Sequence, residues 1–162
     1  MREFEKQLRQ VDWQNLQLEQ MPEWICAFAS DDEQTRKNAY VYFDHSIVNK
    51  GTESPEDVGK LEDVFESEGL VFAVPILIEL LKDDAIEDKQ RILDVLNGLA
   101  WCIHLSKFDA LEPYRSRARR VNDIIHNEIP LYRQLHDSTN DFGKAVIEEI
   151  LETYRETLLE NG

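Results

Sequence analysis

Side chains able to do chemistry are abundant in one kind in this 162-residue chain and sparse in the others. The four histidines are His45, His104, His126 and His136, and no two stand four apart, the spacing that sets two imidazoles on one helical face around a zinc ion. Cys26 and Cys102 form no Cys-x-x-Cys pair, and Cys102 lies inside an apolar helical pattern. Both read as reduced core or near-core thiols rather than as a disulfide. Asp141-Phe142-Gly143 is a triplet that binds magnesium only alongside a glycine-rich loop and a His-Arg-Asp loop, and the chain has neither. Gly143-Lys144 has no glycine loop ahead of it to cradle a phosphate. Asp83-Asp84 and Glu148-Glu149 are adjacent, so on a helix their carboxylates diverge by about 100° and make poor acid–base partners. No catalytic residue, metal ligand or cofactor is therefore assigned, and the chain is expected to be non-catalytic.

Carboxylates are what the chain has in excess. With 33 acidic against 18 basic residues the formal charge is -15, which repels nucleic-acid phosphates and anionic lipid headgroups. Two acidic clusters stand out. An insertion over 52–68 carries Glu53, Glu56, Asp57, Glu62, Asp63, Glu66 and Glu68 against the single Lys60, and a turn carries Asp83, Asp84, Glu87 and Asp88. Acid gathered in this way steers a basic partner protein, so these residues are candidate contacts. Trp24 and Tyr42 join them as aromatic anchors. Trp101 follows the apolar stripe of its segment and reads as core. The one basic stretch, with Arg115, Arg117, Arg119 and Arg120, spreads around half a helix and reads as a solvated or salt-bridged face.

The elements that must position these groups are helical. Val95, Leu96, Leu99, Ala100 and Ile103 recur at three- and four-residue steps, as do Phe142, Val146, Ile150, Tyr154 and Leu158, and no run alternates as a strand would. The spacing predicts helices over 3–16, 22–29, 32–49, 70–82, 85–103, 110–126, 129–135 and 141–159, with Gly51 as a cap for the third and a loop or short helix at 52–68. Asn97-Gly98 lies inside a helix pattern, so Gly98 is expected where two helices pack closely. The apolar run from Leu70 to Ile78 contains Pro75 and ends at Glu79, far short of the roughly 20 residues that cross a bilayer. A helix apolar nearly all round must be enclosed by neighbours, and Pro75 must begin it or bend it.

The segment Ala-Val-Pro-Ile-Leu-Ile-Glu-Leu-Leu from Ala73, its Asp-rich turn and the helix that follows resemble a HEAT-type repeat of small bacterial HEAT-like proteins. A weaker echo starts at Ile129-Pro130-Leu131, 55 residues after Pro75, where such repeats recur at about 40 to 47. The His-Gln-Gly that ends the preceding helix in many of these proteins is Asn49-Lys50-Gly51 here. The resemblance implies an all-α fold, a short α-solenoid of stacked antiparallel hairpins forming one domain over 1–162. It also implies a non-catalytic protein-binding module, of the kind that includes immunity proteins neutralising basic toxins. Related proteins attach bilin chromophores, so a cofactor-handling role is the alternative, with Cys26 or Cys102 as its reactive group; a structural subunit of a larger assembly is a third. The expected setting is cytoplasmic, with a protein partner, no nucleic acid and no membrane, as monomer or homodimer.

Overall fold

Ten helical segments make up the computed structural model, which describes residues 2–50 and 60–161, the last six by backbone alone. The expected cap Gly51 and the carboxylates Glu53, Glu56 and Asp57 lie outside the described residues. The helices are α1 (Glu3–Arg9), α2 (Met21–Ala27), α3 (Glu33–Tyr42) with a π-helical extension (Phe43–Val48), α4 (Leu61–Val64), α5 (Gly69–Lys82), α6 (Lys89–Ser106), α7 (Tyr114–His126), α8 (Ile129–His136) and α9 (Asp141–Asn161). Among the described residues there is no strand, and no helix is long and apolar enough to cross a membrane.

The helices pack in two rows. In one, α1 lies against α5 and α5 against α7; in the other, α3 with its extension lies against α6 and α6 against α9. Contacts of α6 with α5 and α7 join the rows, α2 bridges α3 and α5, α4 packs on α6 and α7, and α8 lies on α9. Neighbours in the second row run in the same direction. Tyr40 reaches Asp94, and Val48 faces Gly98; Asn97 reaches Glu149, and His104 meets Tyr154. In each case the residue numbers rise together along both helices.

The enclosure expected for the apolar run is what the structure shows. Ten residues of α5 are buried, among them Val74, Leu77, Leu80 and Leu81, each fully so. Burying such a side chain contributes about 1.5–3 kcal/mol. Pro75 lies inside the helix, on its wetter stripe with Phe72 and Glu79. The missing donor thus falls on the least enclosed side of the helix. Gly98 likewise marks the close approach expected of it: a Cβ there would stand 2.8 Å from Val48 Cγ1 of the π-helical extension.

Several boundaries differ from the periodicity. The first helix stops at Arg9, not near residue 16. The Trp13 indole turns back to donate to the Leu8 carbonyl at 3.0 Å, Asp12 accepts from the Asn15 amide, and Gln17 takes a φ of 60°. Local side-chain hydrogen bonds there compete with the helix. Asp83 Oδ1 accepts from the Ala85 amide at 3.0 Å and holds a turn, so α6 starts at Lys89 rather than residue 85. Lys107 and Phe108, both left-handed with φ of 54° and 57°, end α6 and delay α7 to Tyr114. Side-chain caps open two helices: Asp32 accepts from the Thr35 amide at the start of α3, and Asn140 from the Gly143 amide at the start of α9.

Candidate protein interaction face

α6 is buried on every side but one. Ile92, Leu93, Val95, Leu96, Leu99, Ala100, Cys102 and Ile103 are all inside. The side left open carries Asp94, Asn97, Trp101 and Leu105, spaced three, four and four, a single stripe along the helix. Trp101 and Leu105 are each 55% exposed. This corrects the expectation that Trp101 is core: Ala100 and Ile103 take the packed side, and Trp101 is rotated by about 100° and 200° from them. The C-terminal half of α6 has more apolar residues than its neighbours cover.

The flanking helices supply acid. From α3, Tyr40 donates its hydroxyl to Asp94, and Asp44 follows one turn on, with the exposed Val41 a turn before it. From α9, Glu149 Oε2 accepts from Asn97 Nδ2 at 2.7 Å, and Phe142, expected on the packed face with Val146 but 52% exposed in the first turn, lies two turns back on the same stripe. Burial pushes the Asp94 carboxyl up; the Tyr40 hydrogen bond opposes this, and the charges of Asp44 and Glu149 add to it. Tyr40 is in turn held well above an ordinary phenol, by burial first and then by its bond to Asp94. Among the described residues no lysine or arginine pairs with Asp44, Asp94 or Glu149; Asp44 accepts from Asn49 Nδ2 at 3.1 Å and has the His45 ring at 3.8 Å. The result is a surface across three parallel helices with an apolar centre and three carboxylates beside it.

The acidic residues singled out in the sequence are placed differently. Asp83 meets Arg2 at 2.6 Å, and that hydrogen bond holds its carboxyl below the usual range. Asp88 meets Arg36 at 2.6 Å and Arg91 at 3.0 Å. Burial alone would raise the Asp88 carboxyl, but the hydrogen bond from Arg36 and the two arginine charges leave it lowered. Glu87 is 3.7 Å from Arg36, and Glu66 is 2.6 Å from Lys50. These four are matched within the chain. Glu62, Glu68 and Asp84 are exposed, while Asp63 is half-buried in a cleft of about 260 Å³ with Leu16, Leu18 and Lys50. Trp24 and Tyr42 come together, stacked at 4.7 Å with planes 10° apart, and fasten α2 to α3. Both remain half-buried.

The arginine stretch is solvated in part, with Arg119 and Arg120 exposed, and among the described residues none of its four arginines forms an ion pair with a carboxylate. Arg115 Nε donates to the Ala110 carbonyl, and Arg117 Nη1 donates to the carbonyls of Phe65 and Glu66, tying α7 to the end of α4. Arg119 lies over the Phe108 ring. The two cysteines are not joined in a disulfide, and only Cys102 is inside; Cys26 is exposed on α2, a correction to its expected near-core place. Among the described residues no three His, Cys, Asp or Glu side chains gather as a metal site would require.

The exposed stripe of α6 was missed in the sequence, although its signal was present. Apolar residues around the whole C-terminal half of a helix announce either full enclosure or an exposed patch, and periodicity alone does not separate the two. No family model matches the chain, and comparison with curated proteins and with solved structures finds no match.

Proposed function

We propose that this chain is a non-catalytic protein-binding module that holds a basic partner protein against the face formed by α3, α6 and α9. The observation that carries the reading is the juxtaposition on α6 and its neighbours of exposed Trp101 and Leu105 with Asp44, Asp94 and Glu149, acids that form no ion pair with a lysine or arginine among the described residues. An exposed tryptophan beside an aliphatic residue is the composition of a binding hot spot, and surrounding acid sets which partners approach. Asp94 supports it further. A half-buried carboxylate crowded by two others is costly to keep ionised, and a partner's lysine or arginine would relieve that cost.

The two rows of helices support a short HEAT-like α-solenoid of three stacked layers, with α2 against α3, α5 against α6, and α8 against α9. In that arrangement the α3, α6 and α9 row is the inner surface, the one such arrays use for binding. An immunity-type protein that neutralises a basic toxin is the specific form of this reading, resting on the HEAT-like resemblance and the net charge of -15. A cytoplasmic setting goes with this reading, supported by two cysteines that are not joined in a disulfide, as suits a reducing compartment.

The test is capture of a partner from cells expressing the neighbouring genes, with the wild-type chain and with Trp101→Ala as baits at low ionic strength. A basic protein retained by the wild type and lost from Trp101→Ala is the expected result. No basic protein retained, or equal retention by both baits, overturns the reading.

A further inference from the structure

Resting on that reading, we propose that the element received by this face is a basic amphipathic helix of the partner, laid along α6 between α3 and α9. The face is itself helical in period. Asp94, Asn97, Trp101 and Leu105 recur at three- and four-residue steps over three turns, so a carboxylate at one end stands about 10 Å from the indole seven residues on. A helix presents side chains at the same rise. A lysine or arginine on it would meet Asp94, and an apolar residue two turns away would meet Trp101, with no adjustment of register.

The flanks favour the same occupant. Asp44 and Glu149 stand on either side of Asp94, so positive charge is wanted across a width of three helices at that end, not along a single line. Val41 on α3 and Phe142 on α9 are exposed at the margins and can cover the sides of an inserted helix. An extended strand alternates its side chains between opposite faces, and would turn half of them away from this surface. The charge complementarity is one-sided: the chain supplies only acid at Asp44, Asp94 and Glu149, so the helix must supply the base.

Two peptides built only of leucine and lysine test this, each about five turns of helix in length, roughly 18 residues. One has leucines at helical spacing; the other has the same composition in strict alternation. Binding is followed by anisotropy of the labelled peptide at low salt, and peptide helicity by far-ultraviolet circular dichroism. The expected result is that the helical-period peptide binds and gains helicity. Its affinity should fall at least about tenfold on Trp101→Ala, severalfold on Asp94→Asn, and not at all on Glu62→Gln. Equal binding of the alternating peptide overturns the helical occupant and leaves the binding face standing. Undiminished binding to Trp101→Ala overturns the face and the helix together. No binding of either peptide overturns the helix alone, since capture of the natural partner judges the face separately.

Discussion

Arg36, buried on α3, places its Nε 2.6 Å from Oδ2 of Asp88, the residue that precedes the first turn of α6. The same guanidinium donates from Nη1 to the Ser30 carbonyl at 2.8 Å. One side chain thereby joins the entry to α3 to the entry to α6, the two helices whose outer surfaces form much of the proposed binding face. An acidic turn that looks from the sequence like free surface charge is a fastening within the molecule.

Breaking this pair should loosen the α3–α6 junction. Arg36→Met and Asp88→Asn are each expected to lower the denaturation midpoint, and a double-mutant cycle should show favourable coupling that persists at about 1 M salt. The exposed pair Lys50–Glu66, though also at 2.6 Å, should show coupling that vanishes under the same salt. Loss of the Arg36–Asp88 coupling in salt would mean that water reaches it.

Close packing at Gly98 should make that position intolerant of size. Gly98→Val must displace Val48 or push the π-helical extension away, at about 1–3 kcal/mol. Val48→Ala in that background should restore part of the loss, because the added methyls occupy the space vacated. Urea denaturation of the two single variants and the double variant measures this, and additive losses would place the strain elsewhere.

Asp94 and the paired acids should pull stability in opposite directions as pH changes. The folded-state carboxyls of Asp83 and Asp88 are depressed, so their contribution is present above the unfolded value of about 3.9 and is lost as pH falls through the folded values. Asp94 is raised, so folding favours its protonated form. Its contribution is full below about 3.9 and declines as pH rises through the folded value. Asp94→Asn, which keeps an acceptor for Tyr40, is therefore expected to stabilise the protein at neutral pH. That advantage should disappear as the pH falls below the folded value of Asp94. Denaturation of both proteins across a pH series checks the sign, and a variant less stable at neutral pH would refute it.

The two thiols should be distinguishable in the native protein. Cys26 is exposed, although burial of part of its surface and the nearby Glu5 charge raise its thiol. Cys102 is buried, which pushes its thiol up to about 12. One thiol per chain should react with a disulfide reagent under native conditions, more slowly than free cysteine, and the second only after denaturation. A fast native reaction at Cys102 would contradict its enclosure and revive a cofactor-handling role.

Trp101 should report the charge of its surroundings. Of the three tryptophans, Trp13 is buried and Trp24 is stacked on Tyr42, so collisional quenching should act mainly on Trp101. Caesium should quench more strongly than iodide at low salt, and Asp94→Asn combined with Glu149→Gln should narrow the difference. Equal quenching by the two ions in the wild type would show that the acids do not shape the field at the indole.

The periodicity of apolar residues determined by itself that the chain is helical, where most of the helices lie, and that α5 must be enclosed. These properties follow from burial, and burial at a repeat of 3.6 residues is written locally. The caps at Asp32 and Asn140 act through their immediate neighbours in the chain, whereas Gly98 was legible only as a small residue inside a helix pattern, and its partner Val48 comes from far away in the chain. The tertiary structure alone decided which charges are satisfied and which apolar residues remain outside. Asp88 is neutralised from 52 residues away, whereas Asp94, no more acidic in sequence, is surrounded by other acids. Trp101 lies in as apolar a stretch as Leu99, and only the positions of the π-helical extension and α9 leave one exposed and bury the other. A side chain's pairing and exposure are set by residues distant in the chain, and a local pattern carries no record of which distant surface arrives.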